Sequence, residues 1–279
     1  MMIPTYTATR YVVPLREGGS LPAVLDTEDG GLYVAKFRGA GQGARALIAE
    51  LVVGLLAQRI DLPVPDLALL NLDAVFGRTE RDPEIQDILQ GSRGLNVGMR
   101  YLDGAFNFDP VAVAEFVSPE MAAHIVWLDA FTTNIDRTPR NPNLMIWDRR
   151  LWLIDHGAAL YFHHNWEGLD ETRIHTPFAQ IKDHVLLPLA GDLAEADAAM
   201  TGLLNDEVLR NVLALVPEAL LMDAPEGRTP PFESADANRD AYFAYLSQRL
   251  HGPRTFVEEA SRAQEQQRTA PIQSLPYRR

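Results

Sequence analysis

Five residues in this chain have the types and spacing to do chemistry together: Lys36, Glu50, Asp136, Asn141 and Asp155. Lys36 lies in YVAKF, where apolar neighbours surround one ammonium that would be costly to bury unpaired. A strand-edge lysine can snorkel to water. It can equally act as an anion clamp, fixed on a strand, reaching a phosphate and held by a carboxylate. Glu50 is the obvious partner, because it sits in the apolar run ELVVGLLAQ and also needs a counterion. Asp136 and Asn141 lie in NIDRTPRNPN, residues 134–143, whose composition would suit a plain turn. Their separation is also that of a phosphoryl-transfer loop, which needs an acceptor near an attacking hydroxyl and an oxygen ligand for Mg²⁺. Asp155 ends the apolar stretch of LWLIDHGA, with Gly157 two residues on. Many strands end in Asp before a Gly turn. An Asp-x-Gly here also matches the metal-binding carboxylate that follows such a loop, with His156 in place of the usual Phe.

These residues must be positioned by particular elements. Strands are expected at Tyr11–Leu15, Ala23–Asp26, Leu32–Phe37, Leu67–Leu72 and Asn96–Leu102, with a glycine-containing turn over Arg16–Leu21. Asp29-Gly30-Gly31 is a hairpin signal. Ala44–Gln58 has apolar residues at helical spacing and stops before Leu62-Pro63-Val64-Pro65. A helical turn is expected near Pro83–Gln90. From about Asp103 the pattern becomes helical: Pro110–Phe116, then Pro119–Thr132 with Pro in its first turn. Two short strands follow, Leu144–Trp147 and Leu151–Ile154, filling the interval between Asp136 and Asp155 with a hairpin. Later helices are expected at Pro177–Val185, Asp192–Leu204, Asp206–Leu215, Ala235–Leu250 and Arg254–Gln267, and a mobile tail at Thr269–Arg279.

Composition narrows the function classes. The 279 residues contain no cysteine, which excludes thiolate metal sites, thiol nucleophiles and disulfides. Net charge is −13, and no dense Lys/Arg stripe offsets it, so direct nucleic-acid binding is not expected. No secretory signal or membrane-spanning run is visible, and a cytoplasmic protein of bacterial style is expected. Among 25 basic residues only Lys36 and Lys182 are lysines, so a compact ammonium is kept where a planar guanidinium cannot substitute.

A glycine turn between strands, a strand lysine, a helix glutamate, an Asp…Asn loop and a strand-end Asp-x-Gly follow one another in order. In this the chain resembles HipA-like kinases, a bacterial branch of the protein-kinase-like superfamily, in their short form. NIDRTPRNPNL and LWLIDHGAAL resemble that family's active-site segments, YVAKF its strand lysine and VGMRYLDGAF its lobe connection. The resemblance covers roughly residues 10–260. It implies an α+β, two-lobed kinase-like fold, with a β-rich N-lobe over 1–102, a helical C-lobe over 103–267 and a tail over 268–279. It further implies that Lys36 contacts ATP phosphates, Glu50 orients Lys36, and Asp136 positions or deprotonates the acceptor hydroxyl. Asn141 and Asp155 would hold Mg²⁺, with Asn143 a competing asparagine. The backbone of Met99, Arg100, Tyr101 and Leu102 would bind adenine, and Gly18, Gly19 and Ser20 would cover the phosphates. The turn lacks a full G-x-G-x-x-G, and no A-P-E-like anchor follows Asp155.

The activity implied is Mg²⁺-ATP-dependent phosphoryl transfer to a hydroxyl, on a protein serine or threonine. Alternatives are a small-molecule or lipid kinase of the same superfamily, or a catalytically inactive nucleotide-binding regulatory module; fold alone does not separate them, and the sequence names neither the acceptor nor an antitoxin-like partner. His163, His164 and His175 are expected on loop surfaces rather than as metal ligands. Trp127, Trp147 and Trp152 are expected in core packing, and Asp192–Asp206 on a solvated face.

Overall fold

The computed structural model describes residues 2–15, 21–77, 80–109, 116–224 and 229–269. The first strands are β1 (Thr5–Pro14), β2 (Ala23–Thr27) and β3 (Leu32–Lys36), followed by helix α1 (Ala44–Arg59). Strand β4 (Leu67–Leu72), helix α2 (Pro83–Gly91) and strand β5 (Gly94–Arg100) complete a closed barrel in the order β1-β2-β3-β5-β4. The β2–β3 hairpin turns at Gly30, whose φ of 75° lies in the left-handed region that glycine tolerates. β1 begins earlier than Tyr11 because Thr5–Thr7 run parallel to Leu69–Asn71 of β4 and close the barrel. Pro83–Gln90 forms a whole helix rather than a turn: Asp82 caps it by accepting from the Glu84 amide, and Pro83 occupies the first turn.

Strand β6 (Phe106–Asn107), helix α3 (Pro119–Phe131) and strands β7 (Leu144–Trp147) and β8 (Arg150–Leu153) follow. β6, β7 and β8 make a small antiparallel sheet. Helices α4 (Glu171–Ile174), α5 (Leu193–Leu203), α6 (Asp206–Leu213), α7 (Glu218–Leu221), α8 (Ala235–His251) and α9 (Thr255–Thr269) complete this half: α5 and α9 pack on α3, α6 and α7 on α1 and α8, and α4 on α8. The helix expected over Pro177–Val185 is only a 3-10 turn, Ala179–Asp183. Phe178 enters it at a φ of 60°, and the buried side chain of His184 ties its exit to Asp129.

Two hydrophobic cores result. One lies inside the barrel around Leu25, Tyr33, Ala35 and Leu70. The other runs from α1 through α3 to α8 and α9. α1 is apolar on nearly every side, which is the pattern of a helix enclosed by protein. It therefore joins the barrel to the helical half. Trp127 of α3 stacks on Phe131 with Phe256 of α9 at its edge, as expected of a core tryptophan, whereas Trp147 and Trp152 pair edge-to-face and remain half-buried. No helix among the described residues is long and apolar enough to cross a membrane.

Residues 16–20, 110–115 and 270–279 lie outside the described residues, and with them Gly18, Gly19 and Ser20, most of the Pro110–Phe116 helix and the tail. The arms of the first hairpin are described: β1 pairs with β2, and the Leu15 amide donates to the Pro22 carbonyl.

Candidate active site

Lys36 is the last residue of β3, and β5 pairs with it through Val97. That position sends the ammonium out of the barrel toward the segment after β8. Its Nζ lies 2.5 Å from Asp155 Oδ2. Burial works against the Lys36 charge, but the carboxylates of Glu50, Asp155 and Asp136 together raise its pKa above the ordinary lysine value. Asp155 is held at a φ of 55°, a conformation costly for a non-glycine residue and typical of functional sites. Burial opposes its charge too, yet Lys36 outweighs it and keeps the carboxyl below the usual range.

Glu50 does not bond to Lys36 directly, as the sequence led one to expect. Its Oε2 accepts the backbone N–H of His156, while Oε1 is buried without a partner among the described residues. The physical reason is that Asp155 reaches Lys36 first and the next amide, His156, turns toward α1. Burial pushes the Glu50 carboxyl up to about 7, against the opposing pull of Lys36.

Asp136 sits between α3 and β7. Asn141 Nδ2 donates to its Oδ2 at 2.7 Å and Asn143 Nδ2 donates to the same oxygen at 3.2 Å. Oδ1 takes no hydrogen bond among the described residues. Burial and the nearby Asp155 raise the Asp136 pKa, partly offset by the two asparagines.

A layer beneath these residues is not legible from motif spacing alone. Arg137 is fully buried and its Nε donates to Asp129 Oδ2 at 2.5 Å. Its Nη1 donates to the carbonyls of Asn143 and Ile154, and its Nη2 lies 3.2 Å from His156 Nδ1. One guanidinium thus ties the Asp136 loop to the backbone just before Asp155. Asp129 also accepts from Asn134 Nδ2, and His184 Nε2 lies 2.9 Å away. Because His184 Nδ1 accepts the Leu186 amide, its Nε2 carries the hydrogen and the ring is neutral. Burial opposes the Asp129 charge, but Arg137 and His184 hold it well below the ordinary range. His156 likewise must present an unprotonated Nδ1 to Arg137, and burial lowers its pKa to about 3. The available signal was a charged residue, Asp129, within the otherwise apolar run Ile125–Phe131 of α3.

A cavity of about 1320 Å³ gathers the residues expected from sequence: Lys36, Glu50, Met99, Arg100, Tyr101, Leu102, Asp136, Asn141 and Asp155 all line it, as does Asn143. Gly18, Gly19 and Ser20 are outside the described residues. No group of three or more His, Asp or Glu side chains among the described residues is spaced to hold a metal by itself. Asn141 and Asp155 offer hard oxygen donors suited to Mg²⁺, which commonly completes its shell with water and phosphate oxygens. The histidines depart from expectation: His163 is fully buried, its Nδ1 2.9 Å from the Tyr242 hydroxyl, and His175 Nδ1 is buried as well.

Among solved structures, the crystal structure of the Helicobacter pylori proinflammatory kinase CtkA matches with a TM-score of 0.55 at 13% identity, covering 94% of this chain and 98% of that one. The Golgi casein kinase structure gives a TM-score of 0.42 at 11% identity, covering 98% and 74%. The likeness to CtkA is one of fold, and the fold is kinase-like. A search of curated proteins finds no match. The family model described as HipA-like kinase matches residues 10–242, an interval that takes in Lys36, Glu50, Asp136, Asn141 and Asp155. The chain belongs to the HipA-like kinase family, a family of phosphotransferases.

Proposed function

We propose that this chain transfers the γ-phosphoryl group of ATP, in the presence of Mg²⁺, to a hydroxyl, with serine or threonine of a protein as the acceptor. The observation that carries this reading is the convergence of Lys36, Asp136, Asn141 and Asp155 on one cavity, with a lysine–carboxylate pair on one side and an asparagine-held carboxylate on the other. Lys36 presents its ammonium to phosphate oxygens. Asp136 keeps Oδ1 free to take the hydroxyl proton as the acceptor oxygen bonds to the γ-phosphorus and the bond to the β-bridging oxygen breaks, releasing ADP. Its raised pKa suits a proton acceptor. Asn141 and Asp155 would hold Mg²⁺, which supplies charge neutralisation on the phosphates. Glu50, by gripping the His156 amide, positions Asp155 rather than aiming Lys36 directly.

Met99, Arg100, Tyr101 and Leu102 line the cavity where β5 ends, and adenine is assigned to their backbone. Gly18, Gly19 and Ser20 belong to the connection between paired strands β1 and β2, and covering of the phosphates is assigned to that connection. Residues 1–102 and 103–267 are read as two lobes about the cavity. The test is incubation of the pure protein with labelled ATP and Mg²⁺, with and without bacterial lysate. A labelled protein band supports the reading. Label on a small metabolite moves the acceptor to a small molecule, and no transfer to anything, the chain itself included, overturns it.

A further inference from the structure

The loop that carries Asp136 holds two arginines and uses them in opposite ways. Arg137 is fully buried and bound to Asp129. Arg140 is exposed, lines the large cavity, and makes no hydrogen bond or ion pair among the described residues. Its backbone is nevertheless fixed. Pro139 and Arg140 form the tip of a turn closed from both sides: the Thr138 amide donates to the Asn141 carbonyl at 3.0 Å, and the Asn141 amide donates to the Thr138 carbonyl at 3.1 Å. Proline restricts such a turn further. Asn141, the next residue, donates to Asp136. Arg140 therefore adjoins the pair read as proton acceptor and metal ligand, with a rigid backbone and a free guanidinium.

The charge balance of the cavity gives that guanidinium a task. Glu50, Asp136 and Asp155 line the cavity, and the Lys and Arg residues among its lining are Lys36, Arg100 and Arg140. Lys36 is engaged by Asp155 at 2.5 Å. Arg100 donates to the Tyr33 hydroxyl at 3.4 Å and lies over the Tyr33 ring. Arg140 is the one of these three with no partner among the described residues. Its donors are unspent, and a planar guanidinium fork fits two oxygens of one phosphoryl group. Asp136 adds the need for such a group, because its carboxylate repels the anionic phosphoryl that an acceptor hydroxyl must attack.

We propose that Arg140 is a catalytic residue that binds the oxygens of the phosphoryl group in transit. The inference rests on the phosphoryl-transfer reading of the cavity and deepens it. In that step the acceptor oxygen bonds to the γ-phosphorus and its proton passes to Asp136. The bond from the γ-phosphorus to the β–γ bridging oxygen breaks, and ADP leaves. Negative charge is spread over three equatorial oxygens during the passage. Arg140 accelerates the step by holding those oxygens more strongly in the transition state than in bound ATP. ADP lacks the group, so its binding should be indifferent to Arg140.

The test compares the wild type with Arg140→Met and Arg140→Lys. The readouts are thermal unfolding and labelled transfer from ATP to protein in bacterial lysate or to the chain itself. Arg140 is exposed, so both variants should fold as the wild type does. With Mg²⁺ and ADP, all three proteins should show the same rise in Tm. Aluminium fluoride, standing in for the phosphoryl group in transit, should raise Tm further in the wild type, less in Arg140→Lys and not in Arg140→Met. Transfer by Arg140→Met should fall about a hundredfold to a thousandfold, as for loss of one donor to developing charge, with Arg140→Lys in between. If the wild type transfers phosphate and Arg140→Met transfers equally or keeps the fluoride increment, the assignment is overturned and the phosphotransferase reading stands. Loss of the Mg²⁺-ADP rise in Arg140→Met also overturns it, by placing the guanidinium on the part of the nucleotide that stays behind. No transfer by the wild type overturns the phosphotransferase reading, and this assignment with it.

Discussion

Lys36 Nζ and Asp155 Oδ2 lie 2.5 Å apart, while Glu50, on the helix behind them, holds the amide of the residue after Asp155. Lysine, aspartate and glutamate therefore form a chain of contacts through the His156 backbone rather than a lysine–glutamate pair. Lys36 is still stabilised by Glu50 through space, and Glu50 is the first of the carboxylates that raise its pKa. A carboxylate that positions backbone and one that clamps an ammonium should respond differently to loss of charge.

Glu50→Gln tests this through pH. The folded-state pKa of Glu50 is raised from 4.5 to about 7 by burial, so the folded protein binds the Glu50 proton more tightly than the unfolded chain does. Its contribution to stability is greatest below about 4.5 and declines as pH rises through about 7. Glutamine does not titrate and can still accept from the His156 amide. The stability of the wild type relative to Glu50→Gln should fall between pH 5 and pH 8 in urea unfolding. A difference that stays flat over that interval would place Glu50 in an ordinary ionised state.

Much of this arrangement is legible in the sequence because kinase-type chemistry fixes residue types at fixed spacings. Lys36, Asp136, Asn141 and Asp155 could be singled out, and the cavity gathers all four. The Glu50 bond was not legible, because two carboxylates compete for one ammonium and only three-dimensional reach decides which wins. Arg137 was not legible either, since an arginine in a polar loop reads as solvent-facing until Asp129 is seen beneath it. At the level of elements, Pro177–Val185 carried helical character, but Phe178 and His184 hold it in an irregular path that serves Asp129. Local pattern yields there to a buried charge that needs partners.

Arg137→Met should be among the most destabilising substitutions in the chain. It leaves Asp129 buried with His184 and Asn134 alone, and breaking a buried ion pair costs about 3–5 kcal/mol. Adding Asp129→Asn to Arg137→Met removes the stranded charge and should recover part of that loss. Chemical denaturation of the two variants measures both effects. If the double variant is less stable than Arg137→Met, the penalty does not come from the unpaired carboxylate.

His156→Phe puts the residue usual in kinases between Asp155 and Gly157. In the wild type the ring is buried and neutral, its pKa lowered from 6.5 to about 3 by burial and by Arg137. The unfolded chain binds the proton more readily, so this contribution to stability is complete above about 6.5 and is lost as pH falls toward 3. Phenylalanine removes that acid sensitivity together with the buried Nε2, which has no partner among the described residues. Between pH 7 and pH 5 the variant should gain about 2 kcal/mol on the wild type in unfolding free energy. No change in the difference over that range would mean that His156 titrates in the folded protein as it does in the unfolded chain.

Asp136 and Asp155 line the same cavity but are tied to different partners, so their asparagine variants should fail in different ways. Asp136 is held by two amide donors on one oxygen and leaves the other free, the arrangement of a group that meets an acceptor hydroxyl. Asp136→Asn should still show Mg²⁺-ATP thermal stabilisation, because binding to the folded state is what that signal reads. Transfer should fall by about a hundredfold or more, as for loss of a positioned acid–base group. Asp155 faces Lys36 and offers a charged oxygen of the kind Mg²⁺ prefers. Asp155→Asn should lose the Mg²⁺-dependent part of the nucleotide stabilisation along with transfer. Lys36 should then keep Glu50 as its nearest buried counter-charge, so stabilisation by nucleotide without Mg²⁺ should survive. Thermal shift with and without Mg²⁺, paired with a labelled-ATP assay, separates the two losses. If both variants bind Mg²⁺-ATP as the wild type does and still transfer phosphate, neither carboxylate has the role assigned to it.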